Sequence, residues 1–109
     1  MTLELLYFAG CPHHSEAVDL VNSVLEAEGI PAEVQQILIR NREDADAHSF
    51  PGSPTVRVNG QDIERISTNQ LAIGFACRTY VVDGKTLGVP PRSWLEEAVR
   101  AARKQEDHR

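Results

Sequence analysis

The chain has 109 residues, a hydrophobic fraction of 41% and a charged fraction of 25%, which bound it to one globular domain and exclude a disordered or two-domain chain. Its formal net charge of −5 argues against phosphate-backbone binding, which needs clustered Lys and Arg. No apolar run approaches the roughly 20 residues that span a bilayer, and the first residues lack the basic start and small-residue cleavage site of a secretory signal, so the expected compartment is the cytoplasm. In that compartment Cys11 and Cys77 are expected as reactive, ligating or buried thiols rather than as a structural disulfide.

In chain order, residues 3–8 form a short apolar run closed by Ala9 and Gly10, the pattern of a buried strand. A helix follows, with Ala17, Val18, Val21, Val24 and Leu25 at helical spacing and Gly29 with Pro31 as its stop. Residues 32–39 read as a second strand. Asn41 followed by Asp44 resembles a helix start, which predicts a short helix over 41–49. After the turn-rich residues 50–54, Thr55 to Val58 reads as a strand, and Asn59-Gly60 is a hairpin signal that returns the chain through 61–64. Residues 65–76 carry no clear period. Residues 79–82 read as another strand with Asp83-Gly84 as the turn behind it. Ser93 and Glu96 have the spacing of a capping box, and Trp94, Leu95, Ala98, Val99 and Ala102 form the apolar stripe of a last helix. The polar end, 103–109, is expected to fray. Strand, helix, strand, helix, hairpin, helix is an α/β order that predicts a mixed four-stranded sheet with helices on both faces.

Gly10-Cys11-Pro12-His13-His14 stands at the first strand-to-helix junction. With Cys11 near the N-cap, Pro12 falls at the first helical position, where its missing N–H costs nothing. Unpaired helix N–H groups and a protonated His13 or His14 are then the surroundings that favour a thiolate, the reactive form of cysteine. The plainer reading is a small buried Cys that ends a strand. His13 is expected to face solvent or tune Cys11, and His14 to contact the sulfur. Cys11, His13, His14 and Cys77 also contain the donor types of a tetrahedral zinc site, but adjacent helical residues point about 100° apart and the spacing matches no standard zinc motif. No metal or cofactor is expected. Cys77 is open between a resolving thiol and a buried core cysteine, and Arg78 beside it is expected to face solvent.

A strand, a helix begun by Cys-Pro, and Ser53-Pro54 directly before the third strand together resemble the thioredoxin superfamily. The resemblance covers most of residues 1–64 and, more loosely, the last helix. It implies that Pro54 is cis, that the backbone of Ser53 lies against Cys11 and receives an extended thiol substrate, and that Pro12, Ser53 and Pro54 line the substrate position. Cys11-Pro12-His13-His14 is similar to the Cys-Pro-His-Cys motif of the periplasmic disulfide oxidases with His14 in place of the second Cys, so local dithiol exchange is excluded. The Gly-Cys-Pro motif, the run from Gly52 to Gly60 and Cys77-Arg78-Thr79-Tyr80 also resemble small bacterial thioredoxin-like proteins labelled alkylmercury lyase family. The expected function is thiol-disulfide exchange with Cys11 as nucleophile, His13 and His14 tuning it, and Cys77 or a low-molecular-weight thiol resolving the mixed disulfide; a thiol or disulfide is the expected partner, and the charge and the lack of a long apolar run point to neither nucleic acid nor membrane. The alternatives are a non-catalytic thioredoxin fold that binds a soft metal ion or a thiol-containing partner, and a scaffold kept for protein contact.

Overall fold

Alternation along the first strand sets the layering. Leu3 and Leu5 point to one face and Leu6 to the other, and all three are buried. The computed structural model describes residues 1–64, 74 and 76–107 and contains β1 (Leu3–Tyr7), α1 (His14–Ala27), β2 (Val34–Leu38), α2 (Arg42–Ala47), β3 (Thr55–Val58), β4 (Gln61–Asp62), β5 (Tyr80–Val82), β6 (Lys85–Leu87) and α3 (Arg92–Asp107). The main sheet has the order β2-β1-β3-β4. β1 runs parallel to β2, with Leu3 opposite Val34, and antiparallel to β3, with Leu6 opposite Thr55. The sheet is mixed and four-stranded, as the residue pattern predicts.

On the Leu3–Leu5 face, Val21 and Val24 of α1 and Leu95 and Val99 of α3 close the larger core against Val56 of β3. Leu6 packs instead with Ile39, Ala45 and Phe50 beneath α2. Helices therefore cover both faces, which is why β1 is apolar on both sides rather than strictly alternating.

The turns follow their residues. Asn59 and Gly60 both have positive φ, 52° and 81°, the requirement of the tight turn that matches strand twist. Asn59 also accepts the Thr2 N–H at 2.8 Å and donates its own N–H to the Thr2 carbonyl at 2.7 Å, tying the hairpin to the start of β1. Asp83 and Gly84 form the second such turn, between β5 and β6. Asn41 caps α2, its side chain accepting the Asp44 N–H at 2.9 Å.

Three expectations about helix ends are corrected. α1 begins at His14, so Pro12 precedes the helix; it occupies the second position of a turn in which the His14 N–H reaches the Cys11 carbonyl at 3.3 Å. That position suits the fixed φ of proline as well as a helix start does. α3 begins at Arg92, before Ser93, so the capping box is not formed; the Trp94 N–H bonds the Pro91 carbonyl at 3.1 Å. Pro90 and Pro91 hold the backbone near helical φ and start the helix early. Where fraying is expected, α3 continues to Asp107, because Glu106 meets the N-terminal ammonium at 2.8 Å and Arg103 donates to the Glu28 carbonyl. Most of 65–76 lies outside the described residues. Among the described residues no helix is long and apolar enough to cross a membrane.

Candidate functional site

Cys11 sits where β1 gives way to α1. Its N–H donates to the Phe8 carbonyl at 3.2 Å and its carbonyl opens the turn to His14, which leaves the side chain half-buried and free of any disulfide. The two histidines diverge from it. The His14 ring stacks on Tyr7, with centroids 3.8 Å apart and planes within 10°, and its Nε2 lies 2.8 Å from Gln36 Oε1. The His13 ring fills the space beside Gly88 that any larger side chain would claim, and its Nδ1 lies 3.4 Å from Glu16 Oε2. Neither imidazole hydrogen-bonds the Cys11 sulfur; His14, expected to contact it, bonds Gln36 instead. The cause is the register of α1: its first residue faces Tyr7 and the β2 side chain of Gln36, and the aromatic ring takes that surface.

The Ser53-Pro54 peptide is cis. Ser53 is buried, and its Oγ accepts the Phe8 N–H at 3.3 Å. Phe8 therefore holds Ser53 through its N–H and Cys11 through its carbonyl. On its other side Ser53 is paired along the backbone. It donates its N–H to the Ala76 carbonyl at 2.9 Å and accepts the Arg78 N–H at 2.8 Å, a parallel bridge that sets Cys77 opposite Ser53. The Gly74 N–H, bound to the Phe50 carbonyl at 2.9 Å, extends the same alignment. The Ser53 backbone, which the resemblance leaves open for an extended substrate, is thus already paired within the chain. Cys77 is exposed, not a core cysteine, and free. Phe8 thus links Cys11 to Ser53, and the bridge sets Cys77 opposite Ser53, while His14 is engaged with Tyr7 and Gln36.

Gly52 permits the approach of the 76–78 segment. It has φ 139°, and a Cβ built on it would stand 2.9 Å from Arg78 Cβ and 3.1 Å from the Ala76 carbonyl oxygen. Arg78, expected in solvent, is 6% exposed. Its guanidinium donates to both carboxylate oxygens of Asp62 at 2.6 and 3.1 Å, to Glu64 at 2.7 Å and to Thr55 Oγ1 at 3.0 Å, and lies 4.6 Å from the Tyr80 ring centre. Burial works against its charge, but the Asp62 hydrogen bonds and the charges around it prevail and hold the guanidinium charged more firmly than an ordinary Arg. The Thr55 hydroxyl in turn donates a hydrogen bond to the Gly52 carbonyl at 2.6 Å, and the Tyr80 hydroxyl donates to the Pro54 carbonyl at 2.6 Å. Burial pushes the Tyr80 phenol well above its ordinary 10.0, with the Arg78 charge pulling the other way. Sequence reasoning missed this cluster. The only local signal was Asp62 and Glu64 at alternate positions after the Asn59-Gly60 turn, which asks for a cation without saying which.

Among the described residues no group of three or more His, Cys, Asp or Glu side chains is arranged to hold one metal ion. A groove of about 410 Å³ between the Asn59 turn and Ala98, Ala101 and Gln105 of α3 lies at the other end of β3 from Ser53.

An α/β domain with two free thiols, one of them paired across from a buried Ser-Pro step, is the class these features define. The sequence pattern described as Domain of unknown function (DUF2703) matches residues 13–99, and the chain belongs to that family. The matched stretch includes His13, His14, Ser53, Pro54 and Cys77 and begins two residues after Cys11. No curated protein and no solved structure matches the chain.

Proposed function

We propose that the domain is thioredoxin-like and exchanges thiols with disulfides at Cys11, as a cytoplasmic protein. The fold reading is supported by the chain order of strand, helix, parallel strand, helix, antiparallel hairpin and C-terminal helix around the sheet β2-β1-β3-β4. The observation that carries the functional reading is the placement of a half-buried free thiol just after β1, in the residue whose N–H bonds Phe8, the same residue that Ser53 holds. A thiolate there attacks one sulfur of a disulfide and forms a mixed disulfide, which a second thiol resolves. His13, whose ring lies against Gly88 next to the Cys11 turn, is the imidazole assigned to tuning the sulfur; His14 orients the first turn of α1 through Tyr7 and Gln36.

The test is turnover of a small disulfide with a coupled reductant. The wild type is expected to exceed the uncatalysed background and Cys11→Ser to fall to it. Equal turnover by wild type and Cys11→Ser, with both variants folded by circular dichroism, ends the proposal.

A further inference from the structure

We infer that residues 76–78 are a built-in occupant of the Ser53 edge that presents Cys77 to Cys11 as its in-chain partner, and that the oxidant is therefore a small disulfide of the glutathione class rather than an extended polypeptide. The inference rests on Cys11 being the attacking thiol and adds the second thiol and the substrate class.

A polypeptide that docks by strand addition needs an unpaired backbone donor and acceptor on the receiving residue. Ser53 has neither to offer, since its N–H is bound to Ala76 and its carbonyl to Arg78. Displacing that segment also pulls Arg78 away from Asp62, Glu64 and Thr55, and a buried charge stripped of its partners is strongly unfavourable. The edge is therefore held closed by the molecule itself.

The same pairing sets which face of the bridge Cys77 takes. Directly paired residues project their side chains to the same face. Cys77 thus stands on the face where Ser53 Oγ meets the Phe8 N–H, and the Phe8 carbonyl holds Cys11. Cys11 and Cys77 are therefore tied to Ser53 from either side, Cys11 through Phe8 and Cys77 through the bridge. A bond between them needs their Cα atoms within about 7 Å, a local closure. Cys77 is exposed and Cys11 half-buried, so a small molecule reaches both without parting the Ser53 edge.

In the reaction, the Cys11 thiolate attacks one sulfur of the disulfide RSSR, the S–S bond breaks, and one RS⁻ leaves. Cys77, as its thiolate, then attacks the Cys11 sulfur of the mixed disulfide and expels the second RS⁻. Two protein thiols become one disulfide, and their two protons and two electrons leave with RSSR as two RSH.

The reduced full chain, Cys77→Ser and Cys11→Ser are each treated with glutathione disulfide and mapped by mass spectrometry without reduction. The wild type is expected to carry a Cys11–Cys77 bond and no retained glutathione, whereas Cys77→Ser holds glutathione on Cys11 as a stable adduct. A wild type that accumulates the same Cys11 adduct as Cys77→Ser, with no 11–77 bond, overturns the in-chain partner while leaving Cys11 as the nucleophile. Absence of any adduct or bond at Cys11 in both chains overturns the functional reading and this inference with it. In a parallel arm, an unstructured peptide disulfide is expected to oxidise the wild type more slowly than glutathione disulfide does; a markedly faster reaction with the peptide overturns the substrate class.

Discussion

Gly52 and Gly88 both stand where a side chain would collide, yet the two collisions differ in kind. At Gly88 the obstacle is the His13 ring, the free end of a side chain that is 42% exposed and can swing aside. At Gly52 the obstacles are the Cβ and Cα of Arg78 and the Ala76 carbonyl, none of which can move without the backbone, and φ is 139° besides. Gly88→Ala is therefore expected to change stability by no more than about 0.5 kcal/mol, the range of ordinary surface changes. It should nevertheless displace the His13 imidazole, seen as shifted His13 resonances in NMR spectra. Gly52→Ala is expected to cost about 1–3 kcal/mol from the backbone alone. It should also loosen the Ala76–Ser53–Arg78 pairing, read as faster amide exchange at Ser53 and Arg78. A Gly52→Ala chain with wild-type stability and exchange contradicts the close approach.

At the scale of elements, Arg78 joins the segment opposite Ser53 to β3 through Thr55 and to β4 through Asp62. Arg78→Met leaves Asp62, whose side chain is 5% exposed, without its cation, and a stranded buried charge costs about 3–5 kcal/mol. Adding Asp62→Leu and Glu64→Leu to the same chain removes the stranded charges together, so urea denaturation is expected to return much of that loss. A triple variant less stable than Arg78→Met alone speaks against the ion cluster as the source of the cost. The elements this cluster connects were legible in different degrees. β1, α1, β2 and the Asn59-Gly60 hairpin each carry a local signal, a period or a turn pair, and the sheet follows from them. The Ser53–Cys77 bridge carries none: one paired residue leaves no periodicity, and the stretch before Cys77 has no clear pattern. The burial of Arg78 is hidden in the sequence for the same reason, because its partners Asp62 and Glu64 lie far from it in the chain and only the bridge brings them together. Pro12 was misplaced because a proline fits the second position of a turn as well as the first of a helix. The candidate thiol and the Ser-Pro junction were thus visible residue by residue, while the contacts that relate them depend on pairing across the chain.

At the scale of the whole molecule, Glu28, Asp44 and Tyr80 have shifted pKa values that bear on stability at the two ends of the pH range. Glu28 lies below its ordinary 4.5, chiefly because Arg100 donates to it from α3, against the opposing effect of burial. Asp44 lies below 3.8 through the Arg40 side-chain and backbone hydrogen bonds. A carboxyl whose folded pKa is depressed contributes stability that is complete above its unfolded value and lost as pH falls through the folded one. Both carboxylates remain partly open to solvent and pair with exposed arginines, so the acid loss should be shallow and weaker in high salt. Tyr80 works in the opposite direction. Burial raises its folded value above 10.0, so its contribution is complete below 10.0 and declines as pH rises further, because the unfolded chain releases a proton that the folded one retains. The thermal midpoint should therefore be flat between about pH 5 and 9 and fall on both sides. Tyr80→Phe separates the limbs. It gives up the hydrogen bond to the Pro54 carbonyl, about 1 kcal/mol at neutral pH, but has no phenol to titrate. Its midpoint should start lower and then decline less steeply than the wild type above pH 10. Parallel alkaline limbs in the two chains would mean that the buried phenol is not what limits the fold at high pH.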